Sequence, residues 1–117
     1  MPRSSVENGP NSYRRGVASI VILSLLKQGD MYGYQMVQET ARISGGKLTT
    51  QEGSLYPALY RLLDQGLISH RKVRVGKRMD RVYYHIEPAG EAKLQELIRD
   101  YEQVTQGVYN IIRASEA

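Results

Sequence analysis

The chain has 117 residues, 41% of them hydrophobic and 24% charged, with a formal net charge of +4 and no cysteine. These values fit one ordinary domain and exclude disulfide frameworks, thiolate metal sites and cysteine nucleophiles. Two histidines are too few for a histidine-built metal site, and no apolar run approaches the length of about 20 residues that a membrane span needs. We therefore expect a cytoplasmic protein without metal, cofactor or membrane partner.

The N-terminal region divides into an arm and a first helix. Residues 1–12 are rich in Ser, Asn, Pro and Gly and show no periodicity, which predicts a flexible arm. Entry of this arm into a minor groove is the alternative. From Tyr13 to Gln28, apolar residues recur at helical spacing. This helix is apolar on two sides, so a partner chain or the C-terminal segment is expected to cover one of them.

A second helix is predicted from Met31 to Ile43. Its inward positions are Met36, Val37 and Ile43, which follow one face of the helix. Gly45 and Gly46 come directly after it and are typical of a helix C-terminus and turn.

A third helix is predicted between Thr50 and Gln65. It has a buried apolar stripe formed by Leu55, Leu59, Leu62 and Leu63. The sequence allows two N-caps for this helix. Thr49 and Glu52 fit a capping box, whereas Ser54 as the N-cap would place Pro57 in the first turn.

A basic hairpin follows the third helix. The predicted strands, Leu67 to Val75 and Arg81 to Ile86, flank a turn of five residues. Side chains alternate along the second strand of the hairpin. Those on one face are Val82, Tyr84 and Ile86, and those on the other are Arg81, Tyr83 and His85. Residues 68–81 carry six basic residues and one acidic residue, a formal charge of +5. This charge favours a polyanionic partner, and a solvated charged hairpin is the alternative.

The last predicted element is a long helix from Pro88 to Ala114. Apolar residues repeat along it at heptad spacing. The members of this seam are Leu94, Leu97, Ile98, Tyr101, Val104, Val108 and Ile111. An intramolecular seam would leave one apolar edge exposed, so the pattern favours dimerisation through this helix.

The order of three helices, a hairpin and a helix is typical of a winged helix-turn-helix. We therefore predict a mainly α fold with a small β-hairpin. Its parts are a flexible arm at 1–12, a winged helix-turn-helix DNA-binding domain at 13–87 and a C-terminal dimerisation helix at 88–117. The third helix is short and amphipathic, as required to enter a major groove about 12 Å wide.

The outward face of the third helix carries the first candidate DNA contacts. With Leu59 inward and about 100° per residue, Ser54, Pro57 and Arg61 point outward and Tyr60 flanks them. Ser54 and Arg61 can reach phosphates or base edges, and Tyr60 a sugar or thymine methyl. For Arg61, an ion pair with Asp64 or Glu52 is the alternative. The hairpin offers four cations to the adjacent backbone or minor groove: Arg74, Lys77, Arg78 and Arg81.

Several motifs resemble the PadR family of bacterial transcriptional regulators. They are Leu23-Ser24-Leu25-Leu26, Met31-Tyr32-Gly33-Tyr34, Gly53 to Leu62, Gly66-Leu67-Ile68, Tyr83-Tyr84 and Gly90. The resemblance covers residues 14–112, and the single C-terminal helix is similar to the compact PadR subgroup. The most specific piece is Gly53 to Leu62, where Leu-Tyr-Pro precedes an Arg-Leu pair.

The resemblance implies a homodimeric repressor that binds a pseudo-palindromic operator and is released by a small hydrophobic or aromatic inducer. The DNA-reading helix of the family matches Gln51, Ser54, Tyr56, Pro57, Tyr60 and Arg61, and its wing matches Val73 to Val82. For Tyr56, packing at the helix edge is an equal alternative to a phosphate contact. A different hypothesis keeps the fold but makes the protein a small-molecule or protein-interaction module without specific DNA binding. No nucleophile and base pair is evident, so we expect no enzymatic activity.

Three features depart from the family pattern. Glu87 stands where the family usually has a threonine before the last helix, and glutamate caps a helix less well. Leu63 replaces the usual acidic residue after the Arg-Leu pair. The chain has no tryptophan, so a pocket built on stacked indoles is not expected.

Overall fold

The computed structural model describes the backbone of residues 3–117 and the side chains from Gly16 onward. Its elements in chain order are α1 (Arg3–Gln28), β1 (Met31–Tyr32), α2 (Gly33–Ile43), α3 (Glu52–Asp64), β2 (Ile68–Arg74), β3 (Asp80–Ile86) and α4 (Pro88–Glu116). The strands form one antiparallel sheet in the order β1-β3-β2. The predicted fold class, helical with a small hairpin and a long C-terminal helix, is confirmed.

α1 and α2 begin elsewhere than the sequence predicts, and β2 and β3 each begin one residue from their predicted starts. α1 begins at Arg3 instead of Tyr13; the side chains of residues 1–12 lie outside the described residues, and the flexibility of that segment stays a prediction. Met31 and Tyr32, predicted as the start of the second helix, form strand β1 and pair with Tyr84 and Tyr83 of β3. A strand of two residues has no periodicity of its own, because its stability comes from pairing with a distant strand.

The core lies where α1, α2, α3, the sheet and the first turns of α4 meet. Its most deeply buried side chains are Leu23, Leu26, Met36, Leu59, Leu62 and Leu94. The predicted stripe of α3 is therefore confirmed, and Leu63 packs against the edge of this core. Ile43 is 50% exposed, so the prediction that it faces inward was wrong; it lies at the end of α2, where Gly45 and Gly46 turn the chain away.

The two ends of α3 are fixed by backbone groups. Gln51 is the N-cap and makes no side-chain cap hydrogen bond, so neither Thr49 nor Ser54 has the predicted capping role. At the other end Gly66 has a φ of +71°, which glycine adopts without strain. The Gly66 and Leu67 amides donate to the Leu63 and Leu62 carbonyls, both at 3.0 Å. This is a Schellman motif, and it turns the chain directly into β2.

Leu67 also holds the start of α4. Its carbonyl accepts a hydrogen bond of 3.0 Å from the Glu87 amide. Gly90, in the first turn of α4, is buried against the same carbonyl, and a Cβ at that position would overlap the Leu67 oxygen. The end of α3 and the start of α4 are therefore joined at a single backbone residue.

In the part of the chain that the structure describes, no helix is long and apolar enough to cross a bilayer.

Candidate nucleic-acid interface

The outer face of α3 presents the polar and aromatic residues expected from the sequence. Gln51, Ser54, Pro57 and Tyr60 are exposed, and Tyr60 is 58% exposed. Leu55, Ala58, Leu59 and Leu62 occupy the opposite, buried face. Ser54, Pro57 and Tyr60 therefore lie on the exposed side of a helix that is anchored by its apolar side, and Gln51 lies at the N-terminal end of that helix.

Arg61 lies at the edge of this face and is half-buried. Among the described residues it has no ion-pair partner, and in particular none in Glu52 or Asp64. The alternative of an intramolecular ion pair is therefore not observed, and the guanidinium keeps its charge available for another ligand.

Tyr56 packs inward from the edge of α3. A Cβ at Gly33, the first residue of α2, would lie 2.5 Å from the Tyr56 hydroxyl, so a larger residue there would require the Tyr56 side chain to shift. Burial raises the pKa of Tyr56. Tyr56 therefore packs at the helix edge, as one of the two alternatives predicted. Contact of Tyr56 with a phosphate stays a prediction.

The four hairpin cations that the sequence predicts as DNA contacts fall into two groups. Arg74 forms an ion pair with Asp80 at 2.8 Å and donates to the Lys77 carbonyl at 2.8 Å, so it stabilises the turn. Arg81 lies over the Tyr32 ring, 4.3 Å from its centroid. Lys77 and Arg78, at the tip, are exposed, and within the described residues neither has an ion-pair partner. The tip therefore carries two exposed positive charges without an ion-pair partner among the described residues.

A polar cluster that the sequence did not reveal fixes the hairpin to the loop after α1. Asp30 Oδ1 lies 2.7 Å from His85 Nδ1, and Asp30 Oδ2 lies 2.5 Å from the Arg71 guanidinium. The Tyr32 and Tyr83 rings stack edge to face with centroids 5.5 Å apart on the same side of the sheet. The alternation of β3 predicted which way His85 faces. Its partner Asp30 depended on β1, for which the sequence offered no signal.

Stability is expected to depend on pH through this cluster. The hydrogen bond with Asp30 raises the pKa of His85 above 6.5, and the same bond lowers the pKa of Asp30. Since the His85 pKa is raised by folding, its contribution is complete below 6.5 and is lost as pH rises through the raised value. The difference in Tm between the natural protein and His85→Gln should therefore be larger at about pH 6 than at about pH 8.

The control for this measurement is His70→Gln. The His70 ring lies beside Tyr84, with centroids 5.9 Å apart, and among the described residues it forms no ion pair with a carboxylate. This variant should retain the pH dependence of the natural protein. An equal Tm difference for His85→Gln at both pH values would contradict the role of the Asp30 pair.

Among the described residues, no group of three His, Asp or Glu is arranged to hold a metal ion.

The apolar seam of α4 divides into two parts. Leu94 is buried in the core, and Leu97 and Ile98 pack against it. The distal residues are exposed, namely Tyr101 at 39%, Val104 at 56%, Val108 at 50% and Ile111 at 73%. The proximal seam is thus filled within the protomer, whereas the distal seam faces outward.

Two departures from the family pattern have a local explanation. Glu87 is the N-cap of α4 without a side-chain cap hydrogen bond; its carboxylate instead accepts a 2.6 Å hydrogen bond from the Ser69 hydroxyl. Leu63 contributes apolar contacts to the core edge in place of a charge.

Comparisons with known proteins agree with this geometry. Residues 22–96 match the model of the transcriptional regulator PadR-like family. The negative transcriptional regulator PadR of Bacillus subtilis (strain 168) is 24% identical over 92 residues, 79% of this chain and 50% of that protein. A transcriptional regulator from Clostridium thermocellum has a TM-score of 0.78 and 28% identity, over 85% of this chain and 96% of that chain.

The structure of Bacillus subtilis PadR in complex with operator DNA has a TM-score of 0.66 and 26% identity. The match covers 70% of this chain and 45% of that chain. This chain therefore spans about half the length of the Bacillus subtilis protein.

Proposed function

The chain belongs to the PadR-like family, whose members are transcriptional regulators and not enzymes, and we propose that it is a cytoplasmic, homodimeric repressor of transcription that binds double-stranded operator DNA. The observation that carries this proposal is the pairing of two surfaces. One is the outer face of α3, and the other is the hairpin tip with its two available cations. A regulator that reads a duplex needs both base contacts and phosphate contacts.

In the proposed complex, α3 lies in the major groove. Ser54 and Arg61 contact base edges or phosphates, Tyr60 packs on a sugar or thymine methyl, and Gln51 and Pro57 line the same face. Lys77 and Arg78 contact the flanking backbone. Arg74 and Arg81 contribute mainly by holding the hairpin, because both already have partners within the chain.

The dimer is proposed to form through the distal half of α4. Val104, Val108 and Ile111 form an exposed apolar row at seam spacing, and apolar rows of this kind mark interaction surfaces. A second copy of the same helix satisfies the heptad pattern. Two copies of α3 on one face of B-DNA would then lie about 34–36 Å apart.

Repression and its relief by a small molecule complete the proposal. The name of the Bacillus subtilis relative, a negative transcriptional regulator, supports repression. An inducer that changes the affinity of the dimer for its operator is the simplest means of relief.

The proposal is tested by fluorescence anisotropy with duplex DNA from the protein's own upstream region, against a scrambled duplex, at two salt concentrations. Tight binding that prefers the upstream duplex supports a specific regulator. Equal and salt-sensitive binding to both duplexes, or none to either, would contradict specific recognition of that site.

The hairpin tip should account for part of the salt dependence. Each phosphate contact contributes a slope of about −0.9 in log affinity against log salt. Lys77→Gln and Arg78→Gln should each weaken binding to both duplexes and reduce the slope by about 0.9 per protomer. Arg99→Gln, which removes an exposed cation from α4, is the control and should leave the slope unchanged. A slope unaffected by both tip variants would exclude the tip from the DNA contact.

A further inference from the structure

A cavity of about 410 Å³ lies between α1, α2 and α3. This volume is within the range of about 300–1,000 Å³ that is usual for small-molecule sites. The floor is aliphatic and includes Val21, Leu25, Met36 and Leu55. No aromatic side chain of the described residues lines it, so it suits an aliphatic group better than a stacked ring.

Apart from Thr40, the hydroxyl-bearing residues that line the cavity are exposed or half-buried, at its opening to solvent. Thr49, Thr50 and Ser54 supply hydroxyl groups there. The Thr40 hydroxyl, which is buried, already donates to the Met36 carbonyl at 2.7 Å, so it is not a strong candidate for ligand recognition. An aliphatic floor with hydroxyls at the opening is suited to an amphipathic molecule with one polar end.

Arg61 supplies the one charge among the described residues that line this cavity. It is half-buried, and no carboxylate of the described residues pairs with it. A guanidinium binds a carboxylate through two parallel hydrogen bonds. Charge complementarity therefore selects an anion over a cation or a neutral alcohol.

We propose that this cavity binds a small aliphatic carboxylate, with its chain on the apolar floor and its carboxylate on Arg61. The proposed regulation rests on the DNA-binding function above. Arg61 and Ser54 lie on both the cavity and the outer face of α3, so bound carboxylate and bound DNA compete for the same guanidinium. The ligand is therefore an inducer that lowers operator affinity, and by linkage DNA lowers ligand affinity.

Ligand binding is tested first without DNA, by isothermal titration calorimetry with octanoate. Octylamine and 1-octanol are the cationic and neutral probes of matched length. Octanoate is expected to bind at least about tenfold more tightly than either, since a charge-assisted hydrogen bond accounts for about that factor. Equal binding of the three probes, or no octanoate binding, would overturn the proposed site.

Three variants locate the site. Arg61→Gln should weaken octanoate binding about tenfold and remove the preference over 1-octanol. Val21→Phe should prevent binding by filling the cavity, and Ala18→Leu, at another lining position, serves the same purpose if the first variant is unstable. Arg78→Gln is the matched control, since it removes a guanidinium on the hairpin tip and should leave octanoate affinity unchanged. Loss of octanoate affinity in Arg78→Gln, or its retention in Arg61→Gln, would overturn the assignment.

The coupling is tested by repeating the operator anisotropy with and without saturating octanoate. Octanoate should lower operator affinity in the natural protein and have no effect in Val21→Phe. Octanoate binding without an effect on DNA affinity would overturn the regulatory part. Octanoate binding by a protein that binds no DNA would support the site and contradict the DNA-binding function. A change in oligomeric state caused by Val21→Phe would instead assign the cavity to a segment of a second copy.

Discussion

Gly90→Ala is expected to lower the free energy of unfolding by about 3 kcal/mol, at the upper end of the usual cost of forcing extra atoms into a packed site. The added methyl would overlap the Leu67 carbonyl oxygen and lie 2.9 Å from Ile86 Cγ1. A backbone carbonyl cannot rotate aside as a flexible side chain can. A shift of the Leu67 carbonyl away from the added methyl would also strain the 3.0 Å hydrogen bond that this carbonyl accepts from the Glu87 amide. Relief therefore requires α4 to move away from the end of α3.

The measurement is thermal and urea unfolding at one fixed protomer concentration, because dimer stability depends on concentration. A loss of this size corresponds to a fall in Tm of about 10 °C. Gly53→Ala is the matched control, since a Cβ there meets open space. It should be neutral or more stable by up to about 1 kcal/mol, because alanine favours a helix over glycine. Equal unfolding free energies for the two variants would contradict the close contact at Gly90.

Val108→Glu is expected to convert the proposed dimer to a monomer and to weaken operator binding by at least about 100-fold. A carboxylate placed in an apolar contact would lose its water without gaining a partner. Two linked DNA-binding units exceed a single unit by about 100- to 10,000-fold in affinity, so the loss of one unit removes that factor. Val108 is 50% exposed, and the fold of the protomer should survive the change. Leu97 is a poorer position for this test, because it packs against the core.

Sedimentation velocity measures the first effect and operator anisotropy the second. Gln106→Glu introduces the same charge on the opposite side of α4, where Gln106 contacts Asn110 at 2.9 Å, and should leave both properties unchanged. Thermal unfolding of Val108→Glu verifies that the protomer is folded. A stable dimer in this variant would place the interface elsewhere on the molecule.

Periodicity in the sequence predicted most of the fold, because each long element has a repeated apolar pattern. The stripe of α3 ending at Leu62 and Leu63 is the clearest case, and both residues contribute to the core. β1 could not be predicted, since its existence depends on pairing of Met31 with Tyr84, 53 positions along the chain. The N-cap of α3 was missed for a related reason, as it is made by backbone geometry at Gln51 without a side-chain signal.

The candidate site was predicted in outline and not in detail. Helical spacing was sufficient to place Ser54 and Tyr60 on the outer face of α3. The sequence showed the positive charge of the hairpin, but it could not separate Arg74, held by Asp80, from the available Arg78. The division of the α4 seam was equally hidden. A heptad pattern does not specify whether its partner is the same protomer or another one.

The contacts of Leu67 limit how the proposed dimer can change shape. One backbone residue ends α3, begins the hairpin and holds the first turn of α4, so we expect these elements to move together. In the proposed dimer, we therefore expect no change in the separation of the two copies of α3 from movement between α3 and the first turn of α4. Any change of span must come from rotation at the contact between the two distal halves of α4. A small rotation there would produce a larger displacement at the DNA, because α3 lies far from that contact.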